Sequence, residues 1–227
     1  MVNSGSTSIA ALSSSFLAGL DPPAAHAILS AARIQRISAG RKISTEGYRA
    51  THFYLLQKGR ARLYHLTKRA DLVLLSWLVP GDVTGLVAIL KSPPPYLITT
   101  EAKTDCDLLT WEHSVICKLA SLHPLLAENT LRIALSHLRT YVGRHIGLAT
   151  KSAEERVAEA LLKLSDKCGQ FHPEGIEIRA TNDELGALAD VSPFTASRVL
   201  GNWQRAGTLS KGRGRIVLRA PEALMID

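Results

Sequence analysis

Residues 181–218 read TNDELGALADVSPFTASRVLGNWQRAGTLSKGRGRIVL, and the punctuation inside this run divides it into helix, turn, helix and hairpin. Thr181 and Glu184 form a capping box, in which a hydroxyl and a carboxylate satisfy two orphan amides at a helix start. The helix that follows carries Leu185, Leu188 and Ala189 on one face and stops at Asp190-Val191, where Asp tolerates a left-handed turn. Ser192 then supplies an N-cap and Pro193 suits a first helical position, since its missing amide would be unpaired anyway. In this second helix Val199, Leu200 and Trp203 turn inward, while Phe194, Thr195, Ser197 and Arg198 lie on or near the opposite side. Two short apolar strands, Thr208-Leu209 and Ile216–Leu218, flank the Gly-rich turn Ser210–Arg215 and make a basic hairpin, or wing.

A helix-turn-helix with a basic wing predicts duplex DNA as a partner. The first turns of the second helix would meet base edges in the major groove, so Phe194, Thr195, Ser197 and Arg198 are the candidate base readers. Arg198 leads them, because a guanidinium offers two parallel donors that match O6 and N7 of guanine. Phe194 has two readings, contact with a thymine methyl or packing against its own domain. Ser192, Lys211, Arg213 and Arg215 are the candidate phosphate-backbone contacts. Six basic residues and no acid lie between Arg198 and Arg219, whereas Glu154, Glu155, Glu159, Asp183 and Glu184 cluster on the preceding helices. That local polarity matters more than the net charge of +7, since residues 151–227 carry eleven basic and eleven acidic side chains.

Thr195, Ser197-Arg198, Leu200, Gly207-Thr208-Leu209 and Ile216 stand at the spacing of the winged helix in the CRP/FNR family of bacterial transcription regulators, which this segment resembles. Three positions depart from that family: Asp190 replaces the usual turn Gly, Gly186 the usual Ala, and Phe194 a frequent base-reading Glu. Residues 38–111 alternate apolar and polar in short runs, clearest in Phe53–Leu56, Ala61–Tyr64, Leu72–Leu75 and Asp107–Trp111. Turns fall at Gly40, Glu46-Gly47, Lys58-Gly59 and Pro80-Gly81-Asp82, and these glycines again resemble the family, whose sensory domain is a cyclic-nucleotide-binding β-roll. The resemblance runs from Phe16 onward and implies an α+β architecture in three parts. These are an antiparallel β-roll or jelly roll over 1–122 with a short N-terminal helix, a dimerisation helix over 123–150, and a winged helix-turn-helix over 151–227.

The effector pocket implied by the resemblance falls at Gly85, Leu86, Tyr96 and Leu97. Family members that bind cyclic nucleotides carry a Gly-Glu pair, for the ribose, and an Arg-Ser pair, for the phosphate. Leu86 takes the Glu place here and Tyr96-Leu97 the Arg-Ser place, just after Pro93-Pro94-Pro95. A phosphodiester without a fixed guanidinium loses its charge-assisted bonds, so cyclic AMP and cyclic GMP are not expected as ligands. Lys58, Arg60 and Arg62 alternate, which on one strand would give a shared face that is either solvated or anion-holding. Some family members sense gases through haem, and eight histidines keep that option open, although His137 and His145 lie too far apart to chelate one ion together. The iron-sulphur sensors of the family use an N-terminal cysteine cluster, and no cysteine precedes Cys106. The effector therefore stays unnamed.

Between these parts Leu131, Leu135, Leu138, Val142 and Ile146 recur at the steps of a two-stranded coiled-coil seam, which predicts a homodimer reading a palindromic operator. Ser152 and Glu155 form a second capping box, so Thr150 to Ser152 is the expected hinge. Cys106, Cys117 and Cys168 are widely spaced and fit free thiols of a reducing cytosol. The Ser- and Ala-rich start has no cation before Arg33, so no export signal is expected, and the apolar run Leu72–Val79 is too short to cross a bilayer. No resident metal and no enzymatic activity are expected. The expectation is a cytoplasmic, dimeric, sequence-specific transcription regulator whose DNA binding is coupled to the β-roll, with RNA polymerase as a further partner. The alternatives are a cupin-like metalloenzyme, which would want a His-x-His and Glu cluster absent from 38–111, or a ligand-binding module without DNA binding.

Overall fold

The computed structural model describes residues 13–69 and 72–224; the first twelve residues of the Ser- and Ala-rich start lie outside the described part. The chain divides into two compact units, Met1–Arg139 and Thr140–Asp227, and the boundary falls inside a long helix.

In the first unit, helix α1 (Pro22–Ser30) is capped by the Asp21 carboxylate and opens with two prolines. Eight strands follow: β1 (Arg33–Ile37), β2 (Lys42–Ser44), β3 (His52–Lys58), β4 (Ala61–Leu66), β5 (Leu72–Leu78), β6 (Val83–Thr84), β7 (Thr99–Ala102) and β8 (Cys106–Glu112). They form two four-stranded sheets, in the orders β1-β8-β3-β6 and β2-β7-β4-β5, and every pairing is antiparallel. The turn glycines reverse the chain at positive φ: 80° at Gly40, 79° at Gly47, 92° at Gly59 and 96° at Gly81. Gly59 is constrained twice, since a Cβ there would lie 2.3 Å from the Asp105 carbonyl oxygen.

Phe53–Leu56 does not alternate: all four residues are buried. On one side the core is aromatic, with the Phe16 and Phe53 rings 4.7 Å apart and Trp111 against both. The Trp111 indole N–H finds its partner in the Ile28 carbonyl at 2.8 Å. Three buried hydroxyls meet at Thr100: Ser44 Oγ, its neighbour in the same sheet, lies 3.1 Å from Thr100 Oγ1, and Thr84 Oγ1, from the other sheet, lies 2.8 Å from it.

Lys58, Arg60 and Arg62 do not share one strand. Lys58 ends β3, Gly59 turns the chain, and Arg62 lies in β4, where it pairs with Glu101 at 2.9 Å across to β7. Arg60 stacks 4.4 Å above the Trp77 ring. Lys58 alone is exposed, and the three cations share no face.

Helices α2 (His113–Leu122) and α3 (Pro124–Thr150) leave the roll. The start of α3 is pinned within this unit by the buried Asn129 amide, which donates to the carbonyls of Phe16 and Ala18. In the second unit α4 (Ala153–Cys168) begins with the capping box of Ser152 and Glu155, and that hydrogen bond holds the exposed Glu155 carboxyl below its ordinary pKa. Strands β9 (Gln170–His172) and β10 (Gly175–Ile178) precede helices α5 (Asn182–Ala189) and α6 (Pro193–Arg205), and β11 (Leu209–Gly212) and β12 (Arg215–Leu218) make the wing. The wing is part of a four-stranded sheet, β11-β12-β10-β9, and not an isolated hairpin. No helix among the described residues is long and apolar enough to cross a membrane.

Candidate nucleic-acid interface

Helix α6 is set by its cap and its buried face. The Ser192 hydroxyl accepts from the Thr195 amide at 3.1 Å, and Ala196, Val199, Leu200 and Trp203 are buried. The Trp203 indole donates to Glu154 Oε1 at 3.0 Å, which fixes the helix against α4 without an unsatisfied N–H. On the opposite side Ser192, Pro193, Phe194 and Arg198 are exposed, with Thr195 and Ser197 half-buried. Phe194 is 78% exposed, so it does not pack against its own domain.

The wing cations divide into three situations. Arg213 is exposed at the turn, and neither it nor Arg198 has an ion pair or hydrogen-bond partner among the described residues. Lys211 reaches back to α6, 3.1 Å from Ser197 Oγ, so a candidate backbone contact and a candidate base reader hold each other. Arg215 lies 3.6 Å from Glu177 on β10, which also binds Arg179 at 3.1 Å. A cleft of about 320 Å³ opens between the wing turn and the start of α5, lined by Thr181, Asn182, Asp183, Lys211 and Arg213 among others.

The turn between α5 and α6 falls at Asp190 as the sequence reading has it, but the partner of that residue is one sequence reasoning missed. Asp190 is left-handed, at φ 52° and ψ 46°, and is the one non-glycine residue with positive φ among the described residues. Its carboxylate receives Arg144 of α3, with Nη2 2.7 Å from Oδ1 and Nε 3.2 Å from Oδ2. The same guanidinium donates to the Ala187 carbonyl at 3.0 Å. Arg156 of α4 adds a bond to the Ala189 carbonyl at 3.0 Å. The signal was present as an aspartate in a glycine place, which asks for a cation nearby, but its partner lies 46 residues away.

Two opposing terms act at Asp190. A left-handed non-glycine backbone costs about 1–2 kcal/mol, and a hydrogen bond to a charged group returns about 1.5–3 kcal/mol. Asp190→Gly should therefore shift the denaturant midpoint of the second unit little, whereas Arg144→Ala, which keeps the strain and removes the partner, should destabilise by about 1.5–3 kcal/mol. Equilibrium unfolding at fixed protein concentration checks this; a larger loss for Asp190→Gly would contradict the clamp.

In the first unit the effector-pocket candidates sit as follows. Gly85 is left-handed at φ 73°, and a Cβ there would lie 2.7 Å from the His52 carbonyl oxygen and 3.3 Å from the rings of Tyr54 and Tyr96. Tyr96 is 6% exposed; its hydroxyl donates to the His52 carbonyl at 2.9 Å and accepts from the His52 amide at 3.0 Å. Both capacities of the phenol are thus spent on backbone. Burial, and then the neighbouring Tyr96, hold the Tyr54 hydroxyl well above its ordinary pKa. Leu86 is half-buried in the short helical turn after Gly85, and Leu97 is 67% exposed, turned away from the other three. At the position that the resemblance gives to the phosphate there is no cation, but a buried phenol bonded to the His52 backbone.

Cys106, Cys117 and Cys168 are not joined in disulfides. Burial pushes the Cys106 and Cys117 thiols up, away from thiolate chemistry, and Cys168 donates to the Leu164 carbonyl. Among the described residues no three His, Cys, Asp or Glu side chains are placed to hold a metal ion.

Two family models match the chain, the cyclic nucleotide-binding domain over residues 34–122 and the Crp-like helix-turn-helix domain over 155–225. The chain is 24% identical over 196 residues to the fumarate and nitrate reduction regulatory protein of Vibrio cholerae, covering 85% of this chain and 77% of that one. Among solved structures, a CRP/FNR-family transcriptional regulator from Thermus thermophilus is 25% identical with a TM-score of 0.71, covering 85% of this chain and 96% of that one. FixK2 from Bradyrhizobium japonicum shares the fold with a TM-score of 0.74 at 24% identity, over 85% of this chain and 95% of that one. A cyclic-nucleotide-binding-like sensory domain followed by a DNA-binding helix-turn-helix defines a class of transcription regulator. Both parts of that class are present in this chain, in that order, and together with the relatives they support a CRP/FNR-family regulator.

Proposed function

We propose that two copies of this chain join along α3 and present two α6 helices to successive major grooves of a palindromic operator. Leu131, Leu135, Leu138, Val142 and Ile146 support the pairing: they form one row and are each 50–59% exposed in the single chain. Such a row in water is costly unless a second copy covers it. Arg198 reads guanine, with Phe194, Thr195 and Ser197 beside it, while Ser192, Lys211, Arg213 and Arg215 hold phosphates. The observation that carries this reading is the unpartnered pair Arg198 and Arg213, one on the recognition helix and one on the wing tip. Selection of bound duplexes from a random pool, followed by titration at several salt concentrations, tests it. A palindromic consensus with a steep salt slope is expected; absence of salt-dependent binding would favour a ligand-binding module instead.

The regulator works by binding and carries out no reaction of its own, in the cytoplasm, with RNA polymerase as the partner through which a bound dimer alters transcription. Its β-roll responds to something other than a cyclic nucleotide. The support is Tyr96, whose hydroxyl is occupied by His52 on both counts. Cyclic AMP or cyclic GMP at about a hundred times a micromolar Kd would raise stability by roughly 2.7 kcal/mol if bound. The expected outcome is no change in Tm at that concentration, and a saturable rise would overturn the assignment.

A further inference from the structure

Phe194 lies in the first turn of α6, four residues before Arg198, so the two side chains share one face of the helix. The residues on either side of it, Pro193 and Thr195, are exposed and half-buried, and Ala196 turns into the core. A phenyl group 78% exposed, on a surface shared with the Ser192 hydroxyl, Pro193 and the Arg198 guanidinium, adds little to the core. It also has no hydrogen-bonding atom. It cannot accept from the N4 amine of cytosine, and it cannot donate to N7 or O6 of a purine. The one apolar group that the major groove presents on a natural base pair is the C5-methyl of thymine.

We propose that Phe194 is a specificity-determining residue that reads a thymine methyl, placing a T·A pair in each half-site about one to two base pairs from the guanine read by Arg198. The spacing follows from geometry: four residues of helix rise about 6 Å, against about 3.4 Å per base step. The proposal rests on the DNA-binding reading above and adds to it the chemistry of one base.

The test uses the full chain and duplexes taken from the random-pool selection. Each thymine of the selected half-site is replaced in turn by deoxyuridine, which deletes the C5-methyl and leaves every hydrogen-bonding edge unchanged. One replacement near the guanine should weaken binding about fourfold, the worth of one buried methyl-sized group. Phe194→Ala, which touches no core residue, should lose a similar factor on the thymine duplex and nothing further on the deoxyuridine duplex. Phe194→Leu, still apolar, should keep part of the thymine preference. If Phe194→Ala weakens the thymine and deoxyuridine duplexes equally, or no replacement matters at all, Phe194 does not read the methyl and the proposal fails while specific binding stands. If the pool yields no consensus, the DNA-binding reading itself falls, an outcome told apart by the wild-type selection alone.

Discussion

Leu135→Glu should turn the protein monomeric at micromolar concentration while leaving its circular dichroism unchanged. Leu135 is 53% exposed in the single chain, so the substitution removes nothing from either core. In a dimer the same side chain is buried twice, once from each copy. Burying the half of each leucine still exposed is worth about 0.8–1.5 kcal/mol, or about 1.5–3 kcal/mol for the pair. That corresponds to roughly one to two decades in the dimer dissociation constant. The two introduced carboxylates would face each other in an apolar seam, which adds to the loss. Operator affinity should fall on the order of a hundredfold or more, because the second half-site no longer adds its share through a shared scaffold. Ser136→Glu, one residue off the row, is the control and should leave the mass unchanged. Sedimentation measures the first effect and a gel shift the second. A stable Leu135→Glu dimer would show that the row on α3 is covered by something other than a second copy.

Arg198→Ala is expected to cost about 1–3 kcal/mol on the selected operator and to relax one base position. On random duplex the loss should be small, since a base contact carries little of the nonspecific term. Arg198→Lys should not restore it, because a point charge cannot reproduce two parallel donors. Arg213→Ala should act differently, weakening specific and random duplexes alike and reducing the salt slope by about 1. The contrast follows from position: both guanidinium groups lack partners within the described residues, but one rides on the recognition helix and the other on the wing turn. Equal losses for Arg198→Ala on both kinds of duplex would remove it from the base-reading set.

Much of the fold was legible because it is written in local chemistry. Both capping boxes, Thr181 with Glu184 and Ser152 with Glu155, close as their spacing required. The turn glycines at 40, 47, 59 and 81 sit at positive φ for the same reason, since no other residue adopts that backbone without strain. What escaped was tertiary. Strands β9 and β10 are three and four residues long, too short for any alternation to register, and Phe171 in β9 is exposed where a strand pattern would want it covered. Helix α2 follows directly on β8, and nothing in Glu112-His113 marks the change. Phe53–Leu56 read as an alternating strand, but both of its faces are buried. At the interface Phe194 kept two readings, and only its exposure separates them. Leu97 shared a motif with Tyr96 yet is exposed, in a bend outside any strand where no alternation could assign its side.

The Arg144 clamp on Asp190 alters where motion can enter this molecule. The chain breaks between α3 and α4 at Lys151-Ser152, the place a swivel would be sought. That break is strapped: Arg156 holds the Lys151 carbonyl, Lys151 pairs with Glu159, and Arg144 reaches past the gap to the corner between α5 and α6. The last turns of α3 and the reading head are therefore bolted together like a key and its shank. A twist delivered at Val142 or Ile146 would then arrive at Arg198 without loss, and loosening one arginine would disconnect the handle from the lock.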